Sequence, residues 1–316
     1  MNAGDIAYFD GRMVPLDEAR VPITTHAFTY GTGCFEGIRA YWNPDLGQLF
    51  AFRLGDHMRR LADSARILKL DFDMEVERLA AIALELLARN DFREDAYLRP
   101  IVYKSERTIK VALTGLTTSF CMYAIPMGAY LDIDRGLSLT VSAWSRISDN
   151  AIPARAKPTG AYVNAAMASD EARQRGVDEA IMLTSDGHVA EASSANIFLV
   201  EDGELVTPEA ADDILVGVTR DSVIRVAQRG GIAVHERRVD RSELFSADEV
   251  FLCGTGVQVA PVTNIDGRQI GTGKPGRVTI ELQERYLALV RGMSDEFPEW
   301  RSAVYADGRE ALRGPE

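Results

Sequence analysis

The chain has 316 residues, enough for about two domains of ordinary size and a sizeable buried core. Apolar residues make up 46% and charged residues 26%, which excludes wholesale disorder and a membrane bundle, and a formal charge of −12 disfavours nonspecific binding to nucleic acid or an anionic membrane. The longest nearly uncharged stretch, Thr117 to Leu131, falls short of the roughly 18 residues of a membrane span, and with no signal-like N-terminus the expected location is the cytoplasm.

In chain order, the alternating segment Ile6 to Phe9, the pair Asp10-Gly11 and Met13 to Pro15 predict a β-hairpin. Leu54, Met58, Leu61, Ala62, Ala65 and Leu68 recur at helical spacing, as do Val76, Leu79, Ile82, Ala83, Leu86 and Leu87. The strands on which these helices pack are expected at Ala96 to Tyr103 and Thr118 to Ile125, completing a small α+β domain over residues 1–131. The turn-like segment 132–136 reads as a linker. A larger mixed-sheet domain follows over 137–316, with strands at Leu137 to Trp144, Glu179 to Thr184, Asn196 to Val200, Ile232 to Glu236, Glu249 to Cys253 and Val259 to Asn264. Helices are expected at Tyr162 to Arg175, Val218 to Arg229 and Arg277 to Arg291. The tight Asp186-Gly187 and Asp202-Gly203 turns favour a mixed, partly antiparallel sheet over a doubly wound parallel one. Trp300 and Tyr305 suit a docked tail, and Gly308 to Glu316 a frayed end.

Cys34, Cys121 and Cys253 are far apart and form no CxxC pair, which argues for reduced thiols and against a disulfide framework or a zinc site. His26, His57, His188 and His235 are too scattered to imply a metal and receive no role. The common nucleotide-binding and hydrolase signatures are missing from the sequence. Only five of the 35 basic residues are lysines, so a covalent lysine has few candidates. Lys69, Lys104, Lys110 and Lys274 read as exposed. Lys157, bounded by Pro153, Pro158 and Gly160 just before a helix, reads either as a salt-bridged loop lysine or as a Schiff-base nucleophile. Gly217-Val-Thr-Arg220 opens a helix, where Thr219 serves either as an ordinary cap or as part of a phosphate site. Gly254-Thr-Gly256 is either a plain turn or a second backbone approach to an anion. Glu191 is either an edge-strand surface residue or a buried carboxylate, and a buried one needs a partner such as a pyridinium N–H.

Five ordered segments carry a resemblance: Tyr30-Gly-Thr-Gly-Cys-Phe-Glu-Gly-Ile-Arg39, Ile152-Pro-Ala-Arg-Ala-Lys157, Glu191-Ala-Ser-Ser-Ala-Asn-Ile-Phe198, Gly217-Val-Thr-Arg220 and Cys253-Gly-Thr-Gly256. Together they resemble the fold-type IV aminotransferases that use pyridoxal 5'-phosphate (PLP), a D-amino acid aminotransferase-like two-domain α+β fold, and most closely its branched-chain amino acid aminotransferases. The resemblance runs from about Ala7 to Trp300. It implies that Lys157 is the Schiff-base lysine and proton carrier and that Glu191 keeps the pyridine nitrogen protonated. It further implies that Tyr162 hydrogen-bonds the cofactor phenolate oxygen, and that Arg60, or its neighbour Arg59, binds phosphate with Val218, Thr219 and Thr255. Tyr30, Phe35, Arg39, Tyr97, Arg99 and Tyr130 then line the substrate pocket, and Thr255 and Gly256 receive the α-carboxylate.

The implied reaction is transamination of leucine, isoleucine and valine with 2-oxoglutarate, in a homodimer or higher homo-oligomer with no metal, nucleic-acid or membrane partner. Two departures touch pocket shape: the basic segment Glu106 to Gly115, where the family usually has a glycine- and proline-containing loop, and Met127, where an aromatic is common. A D-amino acid or (R)-amine transaminase, and more distantly an aminodeoxychorismate lyase, therefore stand as alternatives.

Overall fold

Asp10 and Gly11 take positive φ angles of 48° and 84°, the left-handed pair that a two-residue hairpin turn requires, and they fold Ile6–Phe9 (β1) onto Arg12–Pro15 (β2). The computed structural model describes residues 5–128 and 135–305. The chain divides into two compact units. The first takes the residues up to Gly128, the short segment Ala156–Gly160 and the chain from Ala288 onward; the second takes the remainder.

In the first unit, helix α1 (His26–Tyr30) is followed by strands β3 (Gly33–Phe35), β4 (Ile38–Asn43) and β5 (Gln48–Phe52). Helices α2 (Leu54–Ile67) and α3 (Val76–Arg89) come next, then strands β6 (Ala96–Lys104) and β7 (Thr118–Pro126). The apolar stripes of both helices are buried: Leu54, Met58, Leu61 and Ala65 of α2 and Leu79, Ile82, Ala83, Leu86 and Leu87 of α3 form one core with Ile38, Leu49, Leu98, Val102 and Met122 of the sheet. Burial alternates along the first part of β6, so Ala96, Leu98 and Pro100 are buried while Tyr97 and Arg99 share the opposite face.

The sheet runs C-terminal strand, β5, β4, β6, β7, β1, β2, with β3 added on β6. That C-terminal strand, Arg301–Ala303, pairs antiparallel with β5, and Trp300 packs edge-on against Phe52 at 6.0 Å. The sequence places residues 137–316 in one domain; this tail instead completes the first unit's sheet, because its aromatic residues find their apolar partners there. The segment Gly308 to Glu316 lies outside the described residues, as does most of the expected linker.

The second unit contains β8 (Leu137–Val141), α4 (Tyr162–Gln174), β9 (Glu179–Leu183), β10 (Val189–Ala192), β11 (Asn196–Glu201) and β12 (Glu204–Thr207). It continues with α5 (Val218–Arg229), β13 (Val234–Glu236), β14 (Glu249–Gly254), β15 (Gln258–Ile265), β16 (Arg268–Gln269) and α6 (Arg277–Val290), the last turn of which enters the first unit. Its sheet runs β10, β9, β8, β15, β14, β11, β12, β13 and is mixed: β8 pairs parallel with β9 and β15, β12 pairs parallel with β13, and the other pairs are antiparallel. The strand expected to reach Trp144 stops at Val141. Ser142 Oγ accepts the Trp144 N–H at 3.0 Å and donates to Glu171 at 2.6 Å, turning the chain out of the sheet. Among the described residues, no helix is long and apolar enough to cross a membrane.

Candidate active site

The first unit holds Lys157 by its backbone. Its N–H donates to Ser64 Oγ on α2 at 3.2 Å, its carbonyl accepts the Phe35 N–H at 3.1 Å, and Pro158 bridges to Cys34. Thr159 completes the attachment by donating its N–H to Gly33 O at 2.9 Å and its hydroxyl to Gly31 O at 2.6 Å. Gly31 must be glycine: its φ is +63°, and a Cβ there would stand 2.8 Å from the Gly160 Cα. So fixed, the half-buried Lys157 places its ammonium 5.4 Å from the centroid of the Phe35 ring. Arg99 stacks on that ring at 4.3 Å and donates to the Tyr97 hydroxyl at 2.8 Å, while its buried Nε has no hydrogen-bond partner among the described residues. The unit thus brings Lys157, Phe35, Tyr97 and Arg99 together. A Cβ on Gly37 would lie 2.1 Å from the Tyr97 hydroxyl, so the bare backbone at Gly37 leaves room for that group.

Of the other lysines, Lys69, Lys110 and Lys274 are exposed, but Lys104 is fully buried. The expectation of an exposed Lys104 fails because its ammonium has local acceptors: it donates to Leu116 O at 2.9 Å and Thr118 Oγ1 at 3.1 Å, with Asp71 at 3.7 Å.

Arg60 is 14% exposed and grips the fully buried carboxylate of Glu36 with two hydrogen bonds, Nε to Oε1 at 2.6 Å and Nη2 to Oε2 at 2.8 Å. His57 donates from Nδ1 to the same Oε2 at 2.8 Å. Burial pushes the Glu36 carboxyl up, but Arg60 and His57 together hold it well below the usual carboxylate range. Burial depresses His57 despite its carboxylate partner, which keeps the imidazole neutral as a donor. Arg59, the alternative to Arg60, is 61% exposed and pairs with Asp56.

The second unit builds a separate cluster around Glu191. Although Glu191 sits on the edge strand β10, it is only 5% exposed. Arg146 pairs with its Oε1 at 2.8 Å, Asn196 Nδ2 donates to Oε2 at 3.0 Å, and the Leu215 N–H lies 3.3 Å from both oxygens. Asn196 also donates to Leu215 O at 2.9 Å, and its Oδ1 would be 2.2 Å from a Cβ on Gly217, the N-cap of α5. Gly217 therefore lets the Glu191 partner pack directly against the start of the helix that carries Val218 and Thr219, both buried. Tyr162 opens α4, and Thr255 and Gly256 form the turn between β14 and β15.

The remaining expected pocket residues are placed differently. Arg39 pairs in register with Tyr97 but is 3% exposed, and its guanidinium donates to Met127 O at 3.1 Å and Gly128 O at 2.8 Å. Tyr30 donates its hydroxyl to Ile109 O at 2.9 Å, in the basic segment that His26 also binds through Lys110 O at 2.8 Å. Tyr130 lies outside the described residues. All three cysteine thiols are pushed up to about 12 by burial, far from a reactive thiolate. Among the described residues, no group of three or more His, Cys, Asp or Glu side chains is arranged to hold a metal ion.

Glu36, His57, Arg146 and Asn196 join the Arg60 and Glu191 clusters without being marked as site residues by the sequence. Glu36 and Asn196 lie inside the quoted motifs, where the signal is a charged or amide residue flanked by small and apolar ones. Arg146 carries no such signal.

Residues 33–265 match the family model for amino-transferase class IV. A relative from Aquifex aeolicus, named "Probable branched-chain-amino-acid aminotransferase", is 44% identical over 302 residues, covering 95% of this chain and 97% of its own. Among solved structures, the branched-chain aminotransferase of Thermoproteus uzoniensis with norvaline superposes with a TM-score of 0.91 at 42% identity, covering 95% of this chain and 99% of that one. The T.th. branched-chain amino acid aminotransferase, complexed with N-(5'-phosphopyridoxyl)-L-glutamate, gives a TM-score of 0.91 at 37% identity, covering 96% of this chain and 100% of that one. With the match spanning most of the sequence and the fold shared nearly end to end, the chain belongs to the class IV aminotransferase family.

Proposed function

We propose that the protein transaminates branched-chain L-amino acids with 2-oxoglutarate, using PLP attached to Lys157. The observation that carries this reading is the donor set. The first unit presents a backbone-fixed lysine with an arginine held in a fixed orientation, and the second presents a buried carboxylate anchored beside a helix N-terminus. Those groups fit an aldehyde, a phosphate and a pyridinium nitrogen. The named relatives and their complexes support the same reading.

When bound, PLP supplies the electron sink that makes the Cα proton of an amino acid removable. Glu191, kept in place by Arg146 and Asn196, accepts a hydrogen bond from the ring nitrogen and holds its proton there. Lys157 Nζ would take the Cα proton and deliver it to the cofactor carbon that the aldehyde provides, on the far side of the amino nitrogen. Tyr162 hydrogen-bonds the phenolate oxygen. Arg60, the α5 N-terminus at Val218 and Thr219, and Thr255 hold the phosphate, while Thr255 and Gly256 also receive the α-carboxylate. Phe35 meets the aliphatic side chain. Arg99, with Tyr97 and Tyr30, meets the second carboxylate of glutamate.

A homodimer or higher homo-oligomer in the cytoplasm belongs to the same reading. It is supported by large exposed apolar side chains, Ile23 at 80%, Phe28 at 73%, Ile109 at 87% and Val111 at 86%, on segments joined by the Thr25–Arg107 bridge.

A donor panel with 2-oxoglutarate as acceptor tests the proposal. Glutamate should form with L-leucine, L-isoleucine and L-valine and not with D-alanine or an (R)-amine; the reverse pattern would overturn the substrate assignment. Borohydride reduction followed by peptide mapping should place the pyridoxyl group on Lys157, and an adduct on another lysine would overturn the attachment.

A further inference from the structure

The Glu36–Arg60–His57 cluster is more than an ion pair inside a fold. We infer that Glu36, braced by His57, is a positioning residue that aims the Arg60 guanidinium at the cofactor phosphate, an inference that rests on the role given to Arg60 above. Glu36 has no exposure, and its two oxygens receive three hydrogen bonds from two side chains of one helix, α2. Arg60 and His57 lie three residues apart on that helix, so they share a face and converge on one carboxylate.

A long arginine side chain ordinarily samples many rotamers, and ordering it costs conformational entropy each time it binds a ligand. The bidentate contact takes that cost in the folded protein by fixing the plane of the guanidinium. It holds the group by its Nε and Nη2 edge, so the direction in which the guanidinium points follows from Glu36. The same strand–turn that carries Glu36 carries Phe35, whose N–H binds the carbonyl of Lys157, so Arg60 and Lys157 are referenced to adjacent residues of one segment. Spacing between the lysine that attaches the aldehyde and the arginine that meets the phosphate is thereby fixed through the backbone of residues 35 and 36.

Orientation and bulk electrostatics make opposite predictions. Removing the Glu36 charge leaves the Arg60 charge uncompensated, so a purely electrostatic role would tighten binding of a phosphate dianion. A positioning role weakens it. The discriminating quantity is the ratio of affinities for PLP and for pyridoxal, which lacks the phosphate, measured by titrating the cofactor-stripped full-length protein and following absorbance.

Glu36→Gln, nearly isosteric, should lower the PLP-to-pyridoxal affinity ratio about tenfold while pyridoxal binding changes little. His57→Ala, which keeps the Glu36–Arg60 charges and removes only the brace, should lower it about threefold. Arg60→Ala should lower it at least as far as Glu36→Gln, and adding Glu36→Gln to Arg60→Ala should cause no further fall. An unchanged or raised ratio in Glu36→Gln, or in His57→Ala where Glu36→Gln does not fold, overturns the inference while leaving the Arg60 assignment standing. An unchanged ratio in Arg60→Ala overturns the assignment of Arg60 itself.

Discussion

Arg99 is the side chain to which the proposed reaction gives two chemistries. Its guanidinium carbon lies 4.3 Å over the Phe35 ring, which suits an aliphatic substrate nearby, yet its Nε is buried without an acceptor among the described residues and the group as a whole is charged. A hydrogen bond to a charged group is worth about 1.5–3 kcal/mol, or roughly ten- to hundredfold in a rate ratio. Arg99→Leu should therefore slow the glutamate and 2-oxoglutarate half-reaction by about that factor and affect the leucine half-reaction much less, as read by single-turnover kinetics. Equal losses in both would assign Arg99 to the shared α-carboxylate instead. His57 gives a second test at this scale. Its folded-state pKa is depressed by burial, so between its ordinary value near 6.5 and that lower value the unfolded chain holds the extra proton. Stability from neutral His57 is then present above about pH 6.5 and lost as the pH falls below it. Replacing His57 with Asn keeps a donor for Glu36 and removes the titration. Wild type should lose more melting temperature than His57→Asn between pH 7 and pH 5, and equal losses would mean that His57 is protonated in the folded protein.

Among the elements, the short connection that carries Lys157 depends on glycine backbone as closely as the helices depend on their apolar stripes. The segment Ala156–Gly160 lies along β3 only because Gly31 and Gly160 allow the two backbones to approach, with Thr159 bonding across the gap. Gly31→Ala should cost about 1–3 kcal/mol of stability from overpacking and the positive φ, and should reduce PLP occupancy because the Lys157 backbone must shift. Paired measurements of melting temperature and cofactor content check it; full occupancy would mean that Lys157 is held by α2 and Phe35 alone. Legibility in the sequence follows the same division. Helices α2 and α3 are plain because their apolar residues recur every three to four positions over 14 residues each. Strands β3, β4 and β5 escape a sequence reading because they are 3, 6 and 5 residues long and mostly buried, leaving little alternation to read. Lys104 misleads for a related reason: the carbonyl that receives its ammonium lies twelve residues away, across a turn that composition does not reveal.

At the scale of the whole molecule, the family and the mixed sheet are visible in the sequence because five motifs and several Asp-Gly turns survive as local patterns. The C-terminal tail is not. Its return to β5 depends on pairings such as Gln48 with Tyr305, 257 residues apart, which no local periodicity encodes. The same holds for Arg146, one of many arginines until the fold sets it against Glu191. In the proposed reaction the first unit supplies a lysine and an arginine, and the second a carboxylate and a helix end. The most direct test is a single turnover of the PLP-loaded protein with L-leucine and no acceptor. The yellow colour should be lost, with one equivalent of 4-methyl-2-oxopentanoate formed per site, and should return on adding 2-oxoglutarate. Persistence of the colour with L-leucine, L-isoleucine and L-valine, alongside turnover of D-alanine or an (R)-amine, would contradict the proposed reaction.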